Sequence, residues 1–238
     1  MKAFLYGVAL QWKLDLRNKG ILITYYLVPL FFFLFVSTIF TSINPTSKDT
    51  LIESMTIFAI SMGAFLGTPI PLVELYSGDI KKAYQVGGVP LWTGVINNFI
   101  SAFIHLLITS LIIYIIAPIG YDAKLPEYPF RYFLFLAFFI ITCISVGTLL
   151  GLYVKSVTKL TMYSQILFQP SLMLSGIMFP TDMLPKALEY VGYAFPATWG
   201  LKIFTSPNPK FLWFLPLIIC FVTACIMGIY KLSRITKE

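Results

Sequence analysis

The sequence predicts an all-α integral membrane protein with six transmembrane helices, and three observations support this. First, 58% of the 238 residues are hydrophobic and only 11% are charged, whereas soluble domains usually contain about 25% charged residues. Second, six windows without any charge reach the length of about 20 residues that a spanning helix needs. Third, one charge at the centre of a spanning helix costs about 2.5–3.5 kcal/mol, so six uncharged windows are hard to explain otherwise.

The first stretch, residues 1–19, is expected to form an amphipathic helix that lies in the membrane interface. The residues that share its apolar face are Leu5, Val8, Ala9, Trp12 and Leu16. Trp12 would lie at the depth of the lipid headgroups. A frayed cytoplasmic leader is the alternative. The apolar run that follows is too long for a signal peptide and lacks a small-residue cleavage site, so we expect it to remain as an anchor.

Six spans are expected after this leader, within a single transmembrane domain covering residues 1–238. They occupy about residues 21–43, 54–73, 93–116, 132–154, 160–179 and 211–230. An even number of spans places both termini on one side. Cytoplasmic termini satisfy the positive-inside rule, because they leave outside only six of the 17 basic residues, namely Lys48, Lys124, Arg131, Lys186, Lys202 and Lys210. We therefore expect both termini in the cytoplasm. We also expect a protein of the plasma membrane of a bacterial cell.

A charged break between the second and third spans, residues 72–92, is predicted to contain a short cytoplasmic helix around Asp79–Val86. The residues that offer N-cap chemistry are Ser77, Gly78 and Asp79. The residues spaced to share one face are Ile80, Ala83 and Tyr84. Since a helix of about two turns is not stable alone in water, it must pack on something. Docking of a soluble partner and an ordinary loop are both compatible with this pattern.

The segment between the fifth and sixth spans, residues 180–209, is too long and too apolar for a simple loop. Its uncharged stretch from Tyr190 to Leu201 is too short to cross a bilayer. Three prolines, Pro180, Pro185 and Pro196, interrupt it. We expect short re-entrant or interfacial helices on the outer face.

Two stretches resemble the ABC-2 type permeases. Glu74-x-x-x-Gly78, followed by Pro90, is similar to the cytoplasmic loop of that family. Residues 175–200 resemble its motif after the fifth span, in which Gly-x-x-Phe-Pro precedes Leu-Pro and a later proline. The residues that match this outer motif are Gly176, Phe179, Pro180, Leu184, Pro185 and Pro196. One departure is that Asp79, Lys81 and Lys82 stand where family loops often carry Thr and Leu.

The resemblance implies the membrane subunit of an ATP-binding-cassette exporter. Two permease subunits, identical or different, would pair above two ATPase subunits that bind ATP and Mg, while this chain would bind no cofactor or metal. Family members export drugs, antibiotic peptides, lipids or polysaccharides, or act in self-resistance. The residues implied in ATPase coupling are Glu74, Gly78, Asp79, Ile80, Ala83 and Tyr84. We expect Glu74 to pair with a basic group on the leader, such as Lys13 or Arg17, or on the ATPase.

The resemblance also implies that the second and fifth spans line the substrate path. The candidate residues on the second span are Phe58, Met62 and Phe65, and those on the fifth are Thr161, Gln165 and Gln169. An aromatic face opposite an amide face would suit an amphipathic substrate, since polar residues in spans usually face a bundle or cavity. Ordinary helix packing is the alternative. Gly63 and Gly67 form a G-x-x-x-G pattern that permits close helix approach.

Other functional classes find less support in these residues. The 238 residues contain no G-x-x-x-x-G-K-[ST] motif, so energy from ATP would have to come from another polypeptide. An ion-coupled transporter would need buried acidic or basic groups in the spans and internal repeats, and the predicted spans contain neither. No metal-ligand cluster is apparent, and nucleic acid is not expected as a partner because the excess of basic residues follows the positive-inside pattern.

The only histidine, His105, lies in the middle of the third span. An ionisable group inside a membrane is a functional candidate. A lone neutral imidazole often simply bonds a neighbouring helix, and we favour that structural role. One histidine also makes a membrane hydrolase hard to assemble unless a carboxylate lies at the same depth.

Overall fold

A computed structural model describes residues 2–237, and all regular elements in this range are helical. The helices are α1 (Lys2–Arg17), α2 (Lys19–Ile43), α3 (Leu51–Ser77), α4 (Asp79–Val86), α5 (Trp92–Tyr121), α6 (Pro129–Tyr153), α7 (Val157–Leu174), α8 (Lys186–Gly192), α9 (Pro196–Thr205) and α10 (Phe214–Lys237). Short 3-10 helices are Pro45–Asp49, Thr181–Met183 and Phe211–Trp213. The predicted all-α membrane class is therefore confirmed.

Five helices are long and apolar enough to cross a membrane: α2, α3, α5, α6, and α10 with its preceding turn. The predicted fifth span is not among them. Its helix, α7, has 18 residues, about 27 Å beside a hydrocarbon core of about 30 Å, and polar residues such as Lys159, Gln165 and Gln169 make it less apolar than the five. It ends at Leu174, five residues earlier than expected, because Gly176 follows with a positive φ of 94° that leaves the helical conformation.

Helix α3 is the centre of the bundle. Of its most apolar window, 83% is buried inside the chain, against 11% for the window that includes α10. It contacts α2, α5, α6 and α7. Gly147 of α6 lies directly against the carbonyl of Ala64, and a Cβ added at Gly151 would be 2.9 Å from the carbonyl oxygen of Pro69. Small residues thus let α6 approach the backbone of α3.

Helices α2 and α3 each contain one π-helical turn, Ile23–Leu27 and Gly63–Gly67, and the two turns face each other. Tyr25 fills the space above the two glycines, since a Cβ added there would lie 2.9 Å and 3.1 Å from its ring. The Tyr25 hydroxyl is 3.1 Å from Thr68 Oγ1. The two glycines of the G-x-x-x-G pattern therefore make room for side chains of neighbouring helices, the Tyr25 ring and Leu106.

The N-terminal helix α1 packs on α5 through the side that carries Asp15, which is buried, and Trp12, which stacks on His105. Leu5 is 62% exposed and Leu16 is 42% exposed, so these members of the predicted apolar face are not covered by the bundle. That this face lies in the membrane interface stays a prediction. Helix α5 presents polar groups to α1, and a Cβ added at Gly7 would lie only 2.6 Å from the Asn97 amide, so a polar and small face is the one that fits.

Two short helices, α8 and α9, connect α7 to α10, as the proline pattern predicts. Pro185 directly precedes α8, and Pro196 occupies the first turn of α9, where proline is tolerated because its missing N–H would be unpaired anyway. The corner between them is fixed by two hydrogen bonds. Thr198 Oγ1 donates to the Gly192 carbonyl at 2.6 Å, and Trp199 Nε1 donates to the Tyr193 carbonyl at 2.7 Å.

Candidate functional site

Helix α4 forms over the residues that the sequence predicts, Asp79–Val86. Gly87 and Gly88 end it, and Gly88 has a positive φ of 65°. The expected side-chain N-cap is absent. Asp79 instead binds Lys82, with Oδ1 and Nζ 3.1 Å apart. None of the residues of α4 is buried, so its apolar positions are largely uncovered by this chain.

One residue of α4 is held by its own chain. Tyr84 is half-buried against a small apolar cluster of Leu91, Leu152 and Ile235. These residues come from the segment before α5, from the end of α6 and from α10. Tyr84 therefore connects α4 to the rest of the bundle, while Ile80 remains 48% exposed.

Glu74 lies on the last turn of α3 and is exposed. It lines a cavity of about 390 Å³ between α1, α3, α4 and α5, together with Asp15, Ile80 and Tyr84. The expected pairing with Lys13 or Arg17 does not occur, because Glu74 takes part in none of the salt bridges among residues 2–237. Asp15, not a basic residue, is the charged group that α1 presents to this cavity.

The Asp15 carboxylate is the centre of a buried hydrogen-bonded group. Its Oδ1 accepts a bond from Gln11 Nε2 at 2.8 Å, and its Oδ2 accepts one from Ser101 Oγ at 2.5 Å. The pKa of Asp15 is raised mainly by burial. The hydrogen bonds from Ser101 and Gln11 lower this pKa, and the negative charge of Glu74 raises it. This polar group joins α1 to α5.

His105 belongs to the same group. Its Nε2 lies 3.7 Å from Asp15 Oδ2, and its Nδ1 lies 2.6 Å from the Tyr26 hydroxyl. The ring is stacked between those of Trp12 and Tyr25, with centroids 4.0 Å and 5.0 Å apart. The predicted bond to a neighbouring helix is confirmed, and the neighbour is α2.

Sequence reasoning missed that a carboxylate lies beside His105. The available signal was that Asp15 is the only acidic residue among the first 48, one turn beyond Trp12. The arrangement is not that of a serine hydrolase, in which the hydroxyl donates to the imidazole. Here Ser101 donates to Asp15 itself.

The two candidate path faces do not meet in a common cavity. Phe58, Met62 and Phe65 are buried, and the Phe58 ring stacks on Phe32 of α2 with centroids 3.9 Å apart. On α7, Thr161 and Gln169 are exposed and Gln165 is half-buried. The amide face therefore points away from the aromatic face.

The outer motif residues are brought together around the turns that follow α7. Gly176 supplies the positive φ, Pro180 begins the turn before Thr181–Met183, and Phe179 is 46% exposed. Pro185 and Pro196 begin the two short helices.

Comparison with known protein families shows which family the chain belongs to. The family model described as ABC-2 type transporter matches residues 3–208. The chain belongs to the ABC-2 type transporter family. The match begins in α1 and ends after α9, so it includes the leader, α4 and the two short helices. No curated protein matched the chain. As an ABC-2 permease it is a membrane protein and a transport subunit that is not itself catalytic.

Proposed function

We propose that this ABC-2 permease is the membrane subunit of an exporter that moves an amphipathic substrate outward. ATP hydrolysis on a separate ATPase, present in two copies with bound ATP and Mg, would drive the transport. Drugs, antibiotic peptides and lipid-like molecules are the substrate classes we favour, and lipids or polysaccharides are the alternative within the family. The protein would lie in the plasma membrane of a bacterial cell with both termini in the cytoplasm.

The observation that carries this proposal is the exposed helix α4. A two-turn helix is not stable by itself, and Tyr84 provides only partial packing within the chain. Ile80 and Val86 remain 48% and 90% exposed. A groove on an ATPase would cover these residues and complete the packing, as an amphipathic helix does when it binds a groove.

The exposed polar face of α7 supports a second permease subunit. Amide groups that face lipid are unfavourable because the hydrocarbon offers no hydrogen-bonding partners. Gln165 and Gln169 have only each other, at 3.4 Å, and the helix is short for a span. We infer that α7 crosses the membrane, which brings the number of spans to six. An identical or different permease subunit would cover its polar face, with the substrate route beside it. The face of α3 that carries Phe58, Met62 and Phe65 would line this route only if α3 and α7 move apart.

The proposal is tested by reconstituting the purified permease in lipid with and without the ATPase, and measuring ATP turnover and export. ATP turnover is expected only with the ATPase present. Glu74→Ala should keep the ATPase bound but reduce export per ATP hydrolysed, because it removes one of the two carboxylates in the cavity beneath α4. Turnover by the permease alone would overturn the proposal.

An ion-coupled transporter remains a second candidate because two acidic groups are buried. The statement that the spans lack acidic residues was wrong, since Glu53 lies within α3 and is 6% exposed. Asp15 is the other. Export that stops with a proton ionophore, but continues with a catalytically inactive ATPase, would favour this candidate.

A further inference from the structure

Glu53 is a buried carboxylate with an unpaired oxygen, far from the coupling region. It lies in the first turn of α3, and its Oε2 has no hydrogen-bond partner among the residues that the structure describes. An acidic residue near a helix N-terminus is favoured by the helix dipole. That effect does not compensate for leaving a carboxylate oxygen unbonded in a buried position, which is costly unless a partner group is present.

Glu53 lines a cavity of about 200 Å³ at the end of the bundle opposite α4. The start of α6, the segment between α5 and α6, and the residues after α9 form the other walls. The two basic residues of the cavity are already engaged. Lys124 Nζ binds Asp49 Oδ1 at 2.8 Å, and Arg131 donates to the Pro207 carbonyl at 2.5 Å while it stacks over the Tyr128 ring.

The remaining polar groups of the cavity do not satisfy Glu53 either. The Tyr132 hydroxyl lies 3.0 Å from Thr56 Oγ1. Glu127 is exposed at the rim and adds a second negative charge. The cavity therefore has one unpaired buried acceptor, Glu53 Oε2, below a rim where Glu127 is exposed.

We propose that this cavity binds a primary ammonium group, which donates hydrogen bonds to the Glu53 carboxylate. Charge-assisted hydrogen bonds of this kind are about twice as strong as neutral ones. The volume is sufficient for a small amine, since one water takes about 30 Å³ of liquid. The ammonium group would come either from a soluble amine or from the headgroup of an aminophospholipid.

The test uses the full chain in phosphatidylcholine nanodiscs and isothermal titration with ethanolamine. Choline serves as the comparison ligand, because its quaternary nitrogen has no N–H to donate. Ethanolamine is expected to bind saturably and choline more weakly. Glu53→Gln keeps the shape of the side chain and should weaken ethanolamine binding by about tenfold or more, since bonds to charged groups contribute about 1.5–3 kcal/mol.

Glu127→Gln is the matched control, because it removes an acidic charge from the rim of the same cavity. Its ethanolamine affinity should stay within about threefold of the wild type, as expected for an exposed charge. If Glu53→Gln does not fold, the comparison of ethanolamine with choline on the wild type decides, and equal binding of the two amines would overturn the proposal. No saturable binding of ethanolamine, or equal binding by the wild type and the variant used, would overturn the proposal.

Nanodiscs that contain phosphatidylethanolamine distinguish the two sources. Weaker apparent ethanolamine binding in these nanodiscs than in phosphatidylcholine indicates that the lipid headgroup occupies the cavity. Equal binding in both indicates a soluble amine. Either result is consistent with recognition of a primary ammonium group by Glu53.

Discussion

At the scale of single residues, the most informative feature is the buried group around Asp15. The Asp15 carboxylate, which is 2% exposed, is held beside His105 by hydrogen bonds from Gln11 and Ser101. Truncating one member of such a group leaves the others unpaired, which is costly in a buried position. Because the members come from α1, α2 and α5, the group holds the leader helix at a defined position on the bundle.

We expect Asp15→Asn to change the pH dependence of stability. Burial raises the pKa of Asp15, so between its ordinary and its raised value the folded chain binds more protons than the unfolded chain. The contribution of Asp15 to stability therefore falls as pH rises through this interval and is constant above it. Thermal unfolding of both proteins in detergent, from about pH 4 to pH 8, measures the difference.

The expected result is that the melting temperature of the wild type falls relative to that of Asp15→Asn as pH rises. Asp79→Asn, at the exposed start of α4, is the control and should show no such trend. A difference between wild type and Asp15→Asn that is the same at every pH would contradict the assignment.

At the scale of elements, α4 and α7 each have one face that the rest of the chain does not cover. For α4 the uncovered residues include the apolar Ile80, Ala83 and Val86, and for α7 they include amides. Uncovered faces of this kind are expected at interfaces, where a few residues contribute most of the binding energy.

Ile80→Asp should disrupt docking of the ATPase without unfolding the permease. The side chain is 48% exposed, so the stability of the permease alone should change by about 0.5 kcal/mol or less. Co-purification with the ATPase should fall by about tenfold or more, as for loss of an interface anchor. Val191→Asp on α8 is the control, since Val191 is 50% exposed and lies on a different element.

Tyr84→Ala is expected to reduce both docking and stability, because Tyr84 also packs within the chain. Normal co-purification of the ATPase with both Ile80→Asp and Tyr84→Ala would exclude α4 as the docking element.

The two candidate path faces should respond differently to alanine. Phe65 is 0% exposed, so Phe65→Ala should destabilise the protein by about 3–5 kcal/mol through the cavity it leaves. Gln165→Ala removes a half-buried amide and should change which compounds are exported while assembly is maintained. Thermal unfolding and export assays with several substrates measure these effects. An unaltered substrate range for Gln165→Ala would exclude this amide from the route.

At the scale of the whole molecule, the direction in which the chain crosses the membrane depends on α7. If α7 crosses, α8 lies outside and both termini lie inside. If it does not, α8 lies inside and the C-terminus lies outside. The short length of α7 makes this the weakest of the predicted crossings.

Cysteine substitution with an impermeant thiol reagent on intact cells decides the topology. Positions 48 and 186 are expected to be labelled, and positions 82 and 237 are expected to be protected. Because the chain has its own cysteines, Cys143, Cys220 and Cys225, these are replaced by alanine first, and the cysteine-free protein is the control. Labelling at 82 but not at 186 would invert the topology, whereas protection of 186 with labelling of 237 would show that α7 does not cross.

The sequence by itself determined the helical membrane class, most span positions, the bounds of α4 and the family. These depend on local properties, namely uncharged windows, the glycines after Val86 and the prolines before α8 and α9. The length of α7 was overestimated because hydropathy does not register the positive φ of Gly176.

Only the tertiary structure decided which faces of these helices meet. Ser101 and Asp15 are 86 residues apart and Tyr26 and His105 are 79 apart, so no local pattern places them together. The same holds for the burial of Phe58 and for the side of α1 that packs on α5, which hydrophobicity alone does not identify. The rotation of a helix about its axis depends on the neighbour it packs against, and here the polar surface of α5 selected the side of α1 that carries Asp15.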